Sequence, residues 1–93
     1  MIDVRCAPDG GGWLCEVEVD EAGRRTTHTV SMTGADLDRW AGGRGQSHAE
    51  DLVARSFAFL LQREPASSIL RRFRLPEIQT YFAEFDQVMR ESR

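Results

Sequence analysis

The sequence predicts an α+β fold, a three-stranded antiparallel β-meander in the order 1-2-3 covered on one face by three to four α-helices. Three observations predict it. Up to about Thr33, apolar and polar residues alternate with the period of a half-buried strand. Glycine-bearing turn signals divide that stretch in two places, and beyond Ser47 the apolar residues recur at helical spacing between prolines. A chain of 93 residues has material for one core. Residues 1-93 therefore read as a single domain, with the meander in 1-33 and the helical part in 34-93.

In the first strand Ile2, Val4 and Cys6 alternate with Asp3 and Arg5. In the second, Trp13, Cys15, Val17 and Val19 alternate with Glu16, Glu18 and Asp20, and in the third His28, Val30 and Met32 alternate with Thr27, Thr29 and Ser31. The turns fall on Pro8-Asp9-Gly10-Gly11-Gly12 and Glu21-Ala22-Gly23-Arg24, where glycine takes positive φ without steric cost. A one-residue slip would turn every apolar side chain to solvent, so the faces set the register. Ile2 pairs with Val19, Val4 with Val17 and Cys6 with Cys15; Val17 pairs with His28, Cys15 with Val30 and Trp13 with Met32. One face of this sheet is apolar and needs a cover.

Thr33 and Asp36 have the spacing of a capping box, followed by Leu37 and Trp40 in a short helix that Gly42-Gly43 ends. GGRGQS, 42–47, is the most flexible-looking segment. Ser47 with Glu50 predicts a second capping box at the start of the main helix, which runs to about Arg63. Its apolar residues Leu52, Val53, Phe57, Phe59, Leu60 and Leu61 cover roughly 200° of arc. This is the pattern of a central helix, or of one shared with a partner. Pro65 closes that helix near Glu64 and predicts a short second one, with Ile69, Leu70 and Phe73 inward and Arg71 and Arg72 outward. Pro76 repeats the device. Ile78, Tyr81, Phe82, Phe85, Val88 and Met89 then give a last amphipathic helix to about Arg90.

Composition sets limits on function. Hydrophobic residues make up 41% and charged residues 29%, ordinary values for a folded chain. All 12 basic residues are arginine, which excludes a lysine Schiff base, a lysine general base and a Walker-type phosphate lysine. The net charge of -3 argues against broad non-specific nucleic-acid binding. No run approaches the roughly 18 apolar residues of a membrane span. The segment MIDVRCAPDG has an early Asp and no hydrophobic stretch of signal-peptide length, which predicts a cytoplasmic location.

The segment LVARSFAFLLQREPASSILRRFRLPEIQTYF, preceded by His28-Thr29-Val30, resembles a family of small conserved bacterial proteins, mainly actinobacterial. These combine a β-hairpin part carrying an H-x-V pattern with a helical part of the F-x-F-L-L-x-R-E-P-x-S-S-I-L type. The resemblance covers nearly the whole chain and implies no established activity. Where that family carries a proline after the Tyr-Phe pair this chain has Ala83, which predicts an unbroken last helix. A looser resemblance, confined to the sheet and the short helix, is to HicB-type antitoxins. The chain lacks the strand expected after that helix and a terminal DNA-binding module, so this likeness is one of analogy.

Four places could hold chemistry. Cys6 and Cys15 fall opposite each other, with Cβ atoms about 4.5–5.5 Å apart, so a disulfide or a metal pair is within reach. In a reducing cytoplasm they read as two buried thiols. His28 shares their face, but the C-x8-C spacing is not a zinc knuckle and a fourth ligand is missing. His28 and His48 have the side chain suited to general-base work, yet neither has a triad context. The glycine runs 10–12 and 42–45 lack the lysine and the strand–loop–helix setting of a phosphate loop.

The fourth place is Arg63, Arg71, Arg72 and Arg74, which against Glu64 give a local surplus of +3 within twelve residues. They are the candidate contacts for a partner or an anion, Arg24 and Arg25 extending the patch only if the fold brings them near. No catalytic, cofactor or metal residue is assigned. The expectation is a non-enzymatic protein–protein interaction or assembly module whose partner is another protein or a second copy in a homodimer, paired through the helices or an open edge of strand 1 or 3. The alternative is a nucleic-acid-associated, antitoxin-like regulator using the four arginines.

Overall fold

A computed structural model describes Met1–Arg93 throughout. Its order is β1 (Ile2–Asp9), β2 (Gly12–Glu21), β3 (Arg24–Met32), α1 (Gly34–Trp40), α2 (Gln46–Leu61), a 3₁₀ turn (Ala66–Ser68), β4 (Arg72–Arg74), α3 (Glu77–Tyr81) and α4 (Phe85–Ser92). The fold is α+β.

The meander has the expected register. Ile2 lies opposite Val19, Val4 opposite Val17 and Cys6 opposite Cys15, and Trp13, Cys15 and Val17 oppose Met32, Val30 and His28. Both hairpins turn through two residues of positive φ, Gly10 (55°) with Gly11 (84°) and Ala22 (53°) with Gly23 (78°). This is the primed turn that matches strand twist. Gly12 is required for a different reason, since a Cβ there would lie 2.1 Å from the Met32 carbonyl oxygen.

The sheet is not a purely antiparallel three-stranded one. It has four strands in the order β1-β2-β3-β4, and β4 runs parallel to β3 with Thr29 opposite Arg72, Val30 opposite Phe73 and Ser31 opposite Arg74. The second helix expected after Pro65 is therefore replaced by a single 3₁₀ turn and a strand. Ile69 and Phe73 are buried as expected, whereas Leu70 is exposed. The reason is backbone pairing: β3 has a free edge once β2 is satisfied, and Thr29 N–H donates to Arg71 C=O at 2.7 Å while Leu75 N–H donates to Ser31 C=O at 2.9 Å.

α1 has the expected box, with Asp36 N–H donating to Thr33 Oγ1 and Thr33 N–H to Asp36 Oδ2. The box expected at Ser47 is absent, and α2 starts from Gly45. Glu50 instead reaches across to the sheet, where its Oε2 accepts the Cys6 N–H at 2.9 Å, and Gln46 Nε2 donates to the Cys6 carbonyl at 3.0 Å. Two side chains of α2 thus occupy the outward N–H and C=O of Cys6 on the edge of β1, and Pro8, in the same outward phase, has no N–H to offer.

The wide apolar arc of α2 is used within the chain. Phe57 meets His28 (5.2 Å between ring centroids) and Phe73 (6.1 Å), while Phe59 meets Phe82 (5.9 Å) and Phe85 (5.4 Å). α2 is the central helix, with the sheet on one side and the C-terminal helices on the other, and one core of 22 buried residues draws on both halves. The last helix is not continuous. α3 ends at Tyr81, Phe82 is extended (φ -132°, ψ 94°), and the chain restarts as α4 despite Ala83. The redirected chain brings Phe85 to 5.2 Å from Trp40, whose indole N–H donates to Asp86 at 2.9 Å. That hydrogen bond, with Arg39 and Arg90 beside it, holds the Asp86 carboxyl below its usual range.

Candidate functional site: an apolar groove beside the free edge of β4

The segment between Pro65 and Phe82 crosses the end of the core without filling it. Pro65 is extended, and the 3₁₀ turn after it is anchored by Ala66 N–H donating to Glu21 Oε1 at 3.1 Å. Ile69 is extended and buried, and the next residue is tied down by its backbone: His28 Nδ1 lies 2.8 Å from the Leu70 carbonyl. A carbonyl only accepts, so Nδ1 carries a proton, and Nε2 lies 2.9 Å from Thr26 Oγ1. This places the Leu70 side chain outside. Pro76 then turns the chain into α3, whose Ile78 packs inward and whose Tyr81 does not.

Between these pieces lies a groove of about 360 Å³, walled by Leu60, Ile69, Leu70, Phe73, Ile78 and Tyr81, with Glu64 and Glu77 among its polar residues. Leu70 is 49% exposed and Tyr81 68%; apart from Met1 these are the exposed large hydrophobic residues of the protein. On the opposite face of the sheet a second hollow of about 240 Å³ is lined by Leu14, Thr29, Ser31, Arg72 and Arg74, and it shares Phe73 and Glu77 with the first. The two hollows flank β4.

The four sequence-predicted arginines do not act as one cluster. Arg63 is engaged at the end of α2: it donates to the Phe59 carbonyl (2.9 Å), stacks 3.6 Å from the Phe59 ring and pairs with Glu84 (3.3 Å). The Glu84 carboxyl lies below its usual range through its own backbone N–H and this arginine. Arg72 and Arg74 project from the polar face of the sheet, as their register opposite Thr29 and Ser31 requires. Arg74 has Glu77 3.7 Å away, while Arg71 and Arg72 are exposed and have no acidic partner within 4 Å. Arg25 belongs to a separate pairing with Glu18 and Asp20.

The remaining candidates are accounted for locally. Cys6 and Cys15, expected as thiols, are joined in a disulfide between directly opposed strand positions. No three His, Cys, Asp or Glu side chains converge in a metal-holding arrangement. His28 is buried and bonded at both nitrogens, and His48 is exposed near the start of α2. Gly10, Gly11 and Arg44 do line one hollow, but the Arg44 guanidinium is held by Asp38. No helix is long and apolar enough to cross a membrane.

Leu70 and Tyr81 were both expected inside, so sequence reasoning missed the residues that mark the groove. The signal that could have found it is the alternation Arg72-Phe73-Arg74-Leu75, a strand pattern between two prolines. Comparison with known proteins gives no match among family models, curated proteins or solved structures.

Proposed function

We propose that this protein is a non-enzymatic interaction module and that the groove between β4 and α3 is its binding surface. One observation carries the reading: Leu70 and Tyr81, two large apolar side chains left in water, stand on the same concave, mostly apolar surface. Scattered exposed apolar residues are ordinary, but two that share a groove with the buried Phe73 and Ile78 form the anchor-and-pocket arrangement on which interfaces concentrate their energy. The residues around the groove supply no nucleophile–base pair, which favours binding over catalysis.

The test is selection of peptides from a random display library on the wild-type chain and on a Leu70→Asp/Tyr81→Asp variant. Both positions are exposed, so the variant keeps the wild-type far-ultraviolet spectrum and melting temperature. Peptides selected on the wild type are expected to bind the variant about tenfold more weakly, or worse. Equal affinity for both proteins would count against the groove.

A further inference from the structure

We infer that the partner of this groove is an extended, acidic chain that adds to the outer edge of β4, its apolar residues entering the groove and its carboxylates meeting Arg72 and Arg74. The inference rests on the groove being a binding surface and goes on to name what fills it.

A sheet has two edges, and here they are treated differently. On the β1 edge the outward N–H and C=O of Cys6 are taken by Glu50 and Gln46, and Pro8 has no N–H. Strand 3, whose edge was a candidate for self-pairing, is covered by β4. In the parallel β3–β4 ladder, Arg71, Phe73 and Leu75 turn their backbone groups to β3, as the bonds from Thr29 to Arg71 and from Leu75 to Ser31 show. The intervening residues face outward. Arg74 N–H is taken by Glu77 Oε2 at 2.8 Å, so a carboxylate already occupies one outer donor, while the N–H and C=O of Arg72 have no partner within the chain. Such an edge accepts a strand.

The side chains specify which strand. An added strand continues the alternation of β4, so one set of its residues falls on the groove side with Phe73 and the next on the side of Arg72 and Arg74. The first set must be apolar and the second acidic. Exposed Arg71 adds to the positive charge at this edge. A second copy of the same strand is excluded by the same rule. In a twofold antiparallel pair centred on Phe73, Arg72 of each copy faces Arg74 of the other, and like charges directly opposed destabilise a ladder.

The probe is a blocked synthetic peptide of about eight residues alternating Asp and Val, with its Lys/Val counterpart as control. Binding is followed by amide chemical shifts of the full-length protein and by calorimetry. Saturable binding of the Asp/Val peptide is expected, with shifts at Arg72 and Tyr81, weakening of about tenfold or more between about 50 and 500 mM salt, and no binding of the Lys/Val peptide. Arg72→Pro removes both the outward N–H and the guanidinium without touching the bonds to β3, so it should weaken binding at least about tenfold while preserving the melting temperature.

Equal binding of both peptides, or an undiminished affinity in Arg72→Pro, overturns the inference. Loss of binding in Tyr81→Ala with none in Arg72→Pro overturns the edge and keeps the groove. Failure of the Asp/Val peptide alongside library peptides that still need Leu70 and Tyr81 does the same. Tighter, steeply salt-dependent binding of oligo(dT) than of the Asp/Val peptide overturns it by assigning the arginines to phosphates.

Discussion

At the scale of single residues, three side chains hold unusual positions, and each makes a prediction. Ala22 is the one non-glycine residue with positive φ, at a turn position that asparagine and glycine occupy more readily. Ala22→Asn is expected to stabilise the protein by about 0.5–1 kcal/mol, read as a higher melting temperature; an unchanged or lower one would mean that the turn is not strained. His28 joins the sheet to Leu70 through a buried imidazole packed at a tilt of 59° against the Phe57 ring. His28→Ala removes both the packing and the donor and should cost about 3 kcal/mol in a denaturant titration. A loss under about 1 kcal/mol would show that the Leu70 segment is held by other contacts. Asp86 supplies a pH dependence. Its folded carboxyl titrates below the ordinary 3.8, chiefly through the Trp40 N–H. Its contribution is therefore complete above the unfolded value and is lost as pH falls through the lower folded value. Asp86→Asn should melt lower than the wild type near neutrality, and the difference should shrink as pH falls below the unfolded value of 3.8. Parallel curves across that range would remove Asp86 from the acid transition.

At the scale of elements, the strands that form hairpins were legible because their partners are adjacent in sequence and their turns fix the register. Val17 had to oppose His28 once Ala22-Gly23 turned the chain. β4 was not legible, because its pairing with β3 is parallel and distant in sequence, and because Ile69 and Phe73 stand four residues apart, a spacing that also fits a helix face. Glu50 misled in a related way: three residues after Ser47 it fits a capping box, yet it serves the backbone of β1 instead. The split between α3 and α4 depends on aromatic packing around Phe59, which no local pattern records. The disulfide belongs to this scale as well. It joins β1 to β2 across a sequence separation of 9, and closing so short a loop is worth up to about 2–3 kcal/mol in the chain-entropy account. Reduction, or Cys6→Ser/Cys15→Ser, should lower stability by no more than that, because the hairpin is already closed by its own ladder. A thiol titration of the unfolded protein without reductant should find no free thiol after purification under oxidising conditions. In a reducing compartment the same pair stands as two buried thiols.

At the scale of the whole molecule, the helices leave no broad apolar surface that would call for self-association. α2 buries one part of its arc on the sheet and the other on α4, leaving Leu70 and Tyr81 as the exposed remainder beside one sheet edge. Light scattering is accordingly expected to give the monomer mass across a wide concentration range, and a stable dimer would require an interface other than the β4 edge. The central claim is that the sheet has four strands and that its fourth leaves the outward N–H and C=O of Arg72 unpaired. Residue-resolved amide hydrogen exchange on the native protein tests this most directly. Protected amides at Phe73 and Leu75 are predicted, with Arg72 between them exchanging at nearly the rate of an unstructured peptide. An unprotected Phe73, or an Arg72 as strongly protected as its neighbours, would contradict the account.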